Sequence, residues 1–283
     1  MRRRDILGAT TAGAAAALLA SREALGQERL ARAQRGMPIP KIADVSVIEC
    51  SPDGVRLTVV KVTTDQPGLH GFGCATFTQR ADLVKPAVEK YLKPFLIGKP
   101  ADRIEDTWQA MYNSSYWRNG PVLNNAISGV DEALWDIKGR MANMPVYELL
   151  GGKAREAVDT YGHASGSEIE DCLNSARKYI SQGLRHVRIQ VGVPGMEGYG
   201  SRRGGQRIPA LHDGPVFERE AALKRAISLF EAARKELGPD IELLHDAHER
   251  YTPTQAVELC KQAEKFRLFF LEDPLSPEDI MWF

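Results

Sequence analysis

Ile241-Glu242-Leu243-Leu244-His245-Asp246-Ala247-His248 and, further along, Leu268-Phe269-Phe270-Leu271-Glu272-Asp273-Pro274 decide how this chain is read. Each is an apolar run short enough for a strand, and each ends in an acid, with Glu272 twenty-six residues after Asp246. Thr254–Phe266, between them, has helical spacing, so the pair reads as strand, helix, strand. The rhythm extends backwards through a helix near Phe217–Leu237, a strand at Arg185–Val191, a helix at Ile169–Gln182 and a strand at Asp159–Ala164. Strands that alternate with helices imply a parallel sheet. A closed (β/α) barrel takes eight strands and usually about 250 residues. Residues 153–283 supply four strands, which suits either a smaller open sheet or the first part of a barrel.

Ahead of the Gly151-Gly152 pair the order is different. Lys41–Cys50, Val55–Thr64 and Leu69–Thr76 alternate apolar and polar residues, separated by Ser51-Pro52-Asp53-Gly54 and Gln66-Pro67-Gly68, and read as three antiparallel strands. Helices are expected at Ala81–Leu96, Asp102–Asn113 and Val122–Ala142, the last with Leu123, Ile127, Val130, Leu134, Ile137 and Met141 at helical spacing. Strands followed by helices make residues 41–152 an α+β unit.

Among 283 residues, 37 basic and 37 acidic side chains give a formal net charge of zero, and 43% are hydrophobic. With no block of like charge, a nucleic-acid face or a polybasic membrane patch is not predicted, and small molecules are the expected partners. Residues 1–26 read as a signal peptide: Arg2-Arg3-Arg4-Asp5-Ile6-Leu7, then an uncharged Ala-rich run from Gly8 to Ala20, then Ala24-Leu25-Gly26. Paired arginines before a weakly hydrophobic run resemble a twin-arginine signal and predict export to a bacterial periplasm, with an ordinary Sec leader as the alternative. The run is shorter than the ~20 residues of a spanning helix, so no membrane anchor is expected. Cys50, Cys74, Cys172 and Cys260 show no zinc spacing and sit in apolar stretches, which predicts buried, inert thiols.

The chemistry gathers at the strand ends. Alternation along the strand points Asp246 and His248 to one side, and Asp246 and Glu272 end successive strands close enough to share an ion. Two carboxylates at such an edge suit Mg²⁺, which keeps other positions for water or substrate oxygens. His248 beside it is suited to moving a proton near neutrality. The alternatives at this point are a strand-end Asp that caps the next helix and a structural histidine.

From about Val45 onward the chain resembles the enolase superfamily, and most of all its mannonate dehydratase group. The resemblance is carried by Ser115-Tyr116-Trp117-Arg118, Val130-Asp131-Glu132-Ala133-Leu134-Trp135-Asp136-Ile137-Lys138, Leu149-Leu150-Gly151-Gly152 and Tyr161-Gly162-His163-Ala164. Gly192-Val193-Pro194-Gly195, Leu244-His245-Asp246-Ala247-His248-Glu249-Arg250-Tyr251-Thr252-Pro253 and Leu271-Glu272-Asp273 complete it. It implies a capping α+β domain over a modified (β/α)₇β barrel, of which about the first four strands are present. It implies Mg²⁺ held by acids on three successive strands, Asp246 and Glu272 matching the first two. It makes Arg188 and Tyr199 a base dyad, His248 the acid and His163 a contact for a substrate hydroxyl.

The implied reaction is loss of water from a mannonate- or gluconate-like sugar acid, by α-proton abstraction and β-elimination through an enediolate. Arg188-Ile189-Gln190 replaces the Lys-x-Lys of most superfamily members, which argues against the racemase and cycloisomerase branches. Thr78 stands where the dehydratases carry a substrate-binding Asn, which leaves the sugar acid open. The third ligand is expected about 25 residues past Glu272, outside this sequence. The stretch Gly192–Gly214 reads as an active-site cover. Family members are commonly symmetric assemblies, so a homo-oligomer is expected of a full-length form. A non-catalytic sugar-acid binding or regulatory protein, or an inactive truncated product, are the other readings.

Overall fold

The computed structural model describes Ala24, residues 38–192 and residues 218–282. The leader apart from Ala24, most of the 192–214 stretch, and Tyr199 therefore lie outside the described residues. The chain divides into two compact units, Met1–Gly152 and Lys153–Phe283.

In the N-terminal unit, β1 (Ile42–Cys50), β2 (Leu57–Thr64) and β3 (His70–Cys74) form an antiparallel sheet in that order. The expected helix over Ala81–Leu96 runs without interruption as α1 (Ala81–Pro86), a π-helical segment (Ala87–Leu92) and α2 (Lys93–Leu96), with right-handed helical backbone at both junctions. Pro86 and Pro94 each remove a backbone donor from the run. α3 (Ile104–Asn113) follows, then α4 (Pro121–Ala142), which starts on a proline suited to a first helical position and ends at a left-handed Asn143. A short α5 (Val146–Leu149) closes the unit. Ile127, Val130, Leu134 and Ile137 of α4 are buried, with Val45, Val60 and Val62 of the sheet in the same core.

α4 approaches β3 more closely than ordinary side chains permit. A Cβ on Gly71 would stand under 3.0 Å from the carbonyl oxygen of Ala133, and one on Gly73 equally close to that of Gly129. The contact lets α4 service the outer edge of β3. Glu132 Oε2 accepts from the Cys74 N–H at 2.7 Å, and Asp136 Oδ2 from the Phe72 N–H at 3.0 Å. These amides would otherwise be an open strand edge.

The C-terminal unit alternates β4 (Tyr161–Gly166), α6 (Ile169–Ser181), β5 (His186–Val191), α7 (Arg219–Leu237), β6 (Glu242–Asp246), α8 (Pro253–Ala263) and β7 (Phe270–Glu272). The four strands pair in parallel in that order, a barrel-like arrangement among the described residues. α8 begins on a capping box in which Thr252 and Gln255 satisfy each other's backbone amides. Ala164, Val187, Ile189, Val191, Leu243 and Ala247 pack with the helices. The strand period of two then sends the intervening residues to the other face.

The cysteine expectation needs correction: only Cys172 is buried, its thiol pushed up to about 11 by burial, while Cys50, Cys74 and Cys260 are exposed. Cys74 shows why. On β3 the buried positions are Gly71 and Gly73, so the alternation turns Cys74 outward.

Candidate active site

Parallel register assembles the chemistry in two rows on the face opposite the helices. In the lower row His163 of β4 pairs with Arg188 of β5, Arg188 with Leu244 of β6, and Leu244 with Phe270 of β7. His163 thus lies within its strand beside Arg188, stacked on Tyr161 with ring centroids 5.2 Å apart, rather than at the strand end. In the upper row Ser165 pairs with Gln190, and Asp246 with Glu272. β6 and β7 end at these two acids. Register partners on adjacent parallel strands point the same way, about 4.8 Å apart.

His248 reaches Asp246 by a route the sequence did not indicate. The strand stops at Asp246, and His248 and Glu249 both take left-handed backbone, φ 54° and 57°. Consecutive non-glycine residues in this region are costly and are found where the surrounding structure holds them. Here the turn lets the His248 N–H donate to Asp246 Oδ1 at 2.9 Å while Nε2 lies 2.6 Å from Oδ2. The backbone also keeps its pairing past the strand ends, through Ala247 N–H to Glu272 O and Glu249 N–H to Asp273 O. Gln190 completes the arrangement. Its Nε2 donates to the Asp246 carbonyl at 3.0 Å and lies 3.1 Å from His248 Nδ1, which settles that Nε2 is the ring nitrogen turned to the carboxylate.

Arg188 joins the rows. Nη1 donates to Asp246 Oδ2 at 2.9 Å and Nη2 lies 3.2 Å from His163 Nδ1. The base dyad with Tyr199 falls outside the described residues; the described partners of Arg188 are Asp246 and His163. Thr78, in the N-terminal unit, is exposed and donates to Gln79 Oε1 at 3.1 Å.

The two carboxylates differ in their electrostatics. Burial pushes Asp246 up, but hydrogen bonds from His248 and the charges of His248 and Arg188 outweigh it, and the group is held below the usual carboxylate range. Burial and the charge of Asp246 raise Glu272. Burial and the Arg188 charge lower His163. His245 faces the helices, donates from Nδ1 to the Ile189 carbonyl at 2.9 Å, packs edge-on against Phe230, and is lowered by burial to about 4. It is a structural neutral histidine that sequence reading passed over.

One atom tests whether a cation fits. Glu272 Oε2 is buried without a hydrogen-bond partner among the described residues, an acceptor in the same register as Asp246. Hard oxygen donors of this kind suit Mg²⁺. The set is partial: among the described residues no group of three or more His, Cys, Asp or Glu is arranged to hold a metal ion.

Comparison with known proteins agrees with the two-part organisation. The mandelate racemase/muconate lactonizing enzyme N-terminal domain family matches residues 41–151, and the enolase C-terminal domain-like family matches residues 171–282. A D-galactonate dehydratase family member from Enterococcus gallinarum is 49% identical over 86% of this chain and 59% of its own length. An enolase from Pantoea ananatis, solved with bound D-gluconate and Mg, is 46% identical with a TM-score of 0.74, covering 86% of this chain and 62% of that one. The 3,6-anhydro-D-galactonate cycloisomerase from Zobellia galactanivorans shares 32% identity at a TM-score of 0.64, over 87% of this chain and 61% of that one. The chain thus spans about 60% of the length of the relatives it matches. With both parts matched in order, the chain belongs to the enolase superfamily.

Proposed function

We propose that this chain contributes the capping unit and the first barrel strands of an exported Mg²⁺-dependent sugar-acid dehydratase, a hydro-lyase acting on a mannonate-, gluconate- or galactonate-like acid. The observation that carries the reading is the pairing of Asp246 with Glu272 in register at two parallel strand ends, with Glu272 Oε2 buried and unpartnered among the described residues. These two residues would hold the cation. When bound, Mg²⁺ would supply a Lewis acid for the substrate carboxylate as the α-proton leaves.

The chain's own residues do the rest. Tyr199, with Arg188, is the proposed base. His248 is the proposed acid for the departing β-hydroxyl: Nδ1 faces Gln190 and Nε2 lies against Asp246 Oδ2, so delivery of the Nε2 proton requires that contact to open. His163 offers its ring to a substrate hydroxyl. The relatives named as D-galactonate dehydratase family members, and the gluconate-bound neighbour, support an aldonic acid over the other substrates of the superfamily.

The test is an assay of a polypeptide extended to the relatives' full length, with Mg²⁺, over a panel of mannonate, gluconate and galactonate. Dehydration of at least one acid, abolished by chelation, is expected, and the 283-residue chain assayed alongside should be inactive or very weak. Binding of the acids without turnover would instead make it a sugar-acid binding protein.

A further inference from the structure

The Asp246 carboxylate is heavily subscribed. Its side chain is 6% exposed, and Oδ2 alone meets Arg188 Nη1 at 2.9 Å and His248 Nε2 at 2.6 Å. Glu272, its register partner, has an oxygen, Oε2, with no hydrogen-bond partner among the described residues. The two acids are therefore unequal hosts for a cation: one is already answered by a fixed positive charge, the other is not. Arg188 supplies that charge as a planar guanidinium, whose fork of donors matches a carboxylate. It is also held in place, with its side chain 15% exposed and Nη2 lying against His163 Nδ1.

A divalent cation at Asp246 meets this guanidinium in one of two ways. Either Arg188 keeps its contact and repels a like charge a few ångströms away, or it gives up the ion pair and leaves a buried charge without its partner. Both lower the affinity of the site.

We propose that Arg188 is a charge governor of the cation site: by pairing with Asp246 it keeps Mg²⁺ weakly held and exchangeable. This rests on the reading of Asp246 and Glu272 as metal ligands but not on the identity of the acid dehydrated. It gives Arg188 a role separate from any partnership with Tyr199. It also accounts for a guanidinium rather than an ammonium at this position, since the planar fork meets Asp246 and His163 at once.

The test is direct metal binding, by calorimetric titration with Mg²⁺ and by electron paramagnetic resonance with Mn²⁺. The polypeptide extended to the relatives' length is compared with Arg188→Met and Arg188→Lys. Arg188→Met keeps an unbranched stem of similar reach and removes the charge, and is expected to bind at least tenfold more tightly, from the close-range Coulomb term. Arg188→Lys, which restores a positive charge, is expected to stay within about threefold of the native affinity. Folding of each variant is confirmed by thermal unfolding without metal. Equal or weaker binding by Arg188→Met would overturn the inference while leaving the metal site standing. Absence of binding by the native polypeptide would instead sink the metal reading, and the inference with it. Tighter binding by Arg188→Met, with no turnover of any aldonic acid by the native polypeptide, would keep the inference and remove the dehydratase.

Discussion

Both units bring carboxylates to the ends and edges of strands, and they use them in opposite ways. In the N-terminal unit, Glu132 and Asp136 on one helix face accept backbone N–H groups of Cys74 and Phe72, and Asp136 also pairs with Arg140. Their capacity goes into holding β3. In the C-terminal unit, Asp246 and Glu272 end two parallel strands, next to left-handed His248, Glu249 and Asp273, and one oxygen of Glu272 is left unanswered among the described residues. A carboxylate beside a strand is thus no sign of chemistry by itself. What separates the pairs is whether the fold satisfies them, since buried polar groups are normally paired and an exception calls for a reason. Strain points the same way, with two consecutive left-handed residues on the functional side.

The largest expected effect lies on the unsatisfied side. His248→Asn, in the polypeptide of the relatives' length, should lower dehydration by about 10²–10⁴-fold, the range of a lost general acid or base, while thermal unfolding barely moves. Steady-state rates with the responsive aldonic acid check this. Activity within threefold of native would dissolve the contrast between the two units.

On the satisfied side the matching effect is on folding. Gly73→Val places side-chain atoms where the Gly129 carbonyl stands, and should destabilise the N-terminal unit by about 3 kcal/mol, the upper range for overpacking. Urea unfolding measures it. A loss below about 0.5 kcal/mol would mean that α4 does not need to lie so close to β3.

Acid should also tell the units apart. His245 is held near 4 in the folded state against 6.5 for the ordinary side chain. Between those values the unfolded chain binds the proton and the folded chain does not. Stability is therefore complete above pH 6.5 and falls as pH drops towards 4, by about 3 kcal/mol at 1.36 kcal/mol per unit. In the N-terminal unit Asp131 is raised, by burial first and then by Glu105 and Glu132, so protonation favours its fold. Hydrogen exchange followed from pH 7 to pH 4 should show the C-terminal unit loosening first. Equal loosening in both would contradict this assignment of His245.

The smallest effect is the most specific. Glu132→Gln, which weakens the bond to the Cys74 amide, should cost about 1 kcal/mol. Glu272→Gln should be neutral or slightly stabilising without metal, because it removes a carboxylate that burial and Asp246 disfavour. Paired urea curves give both signs, and the same sign for both would erase the distinction.

Much of this architecture is legible in the sequence, and the reasons are local. Apolar alternation ending in an acid marks β6 and β7, and helical spacing of Ile127, Val130, Leu134 and Ile137 marks the buried face of α4. Contacts made at long range are not legible: Arg188 and Gln190 reach Asp246 across 58 and 56 residues, and Cys74 reaches Glu132 across 58. The left-handed turn at His248 carries no glycine to announce it, so strand alternation suggested the right neighbour for the wrong reason. The helix over Ala81–Leu96 has the extent its spacing predicts, and only the π-helical hydrogen bonding after Pro86 is not legible from that spacing.

Asp246 and Glu272 acting together on one cation are the centre of the proposed function. Calorimetric titration with Mg²⁺ of the polypeptide of the relatives' length, native against Glu272→Gln, tests it most directly. The expected result is one ion per chain in the native protein and at least tenfold weaker binding in the variant, for the loss of one charged ligand. Undiminished affinity in Glu272→Gln would show that the cation is held elsewhere and that the unpartnered oxygen of Glu272 has another cause.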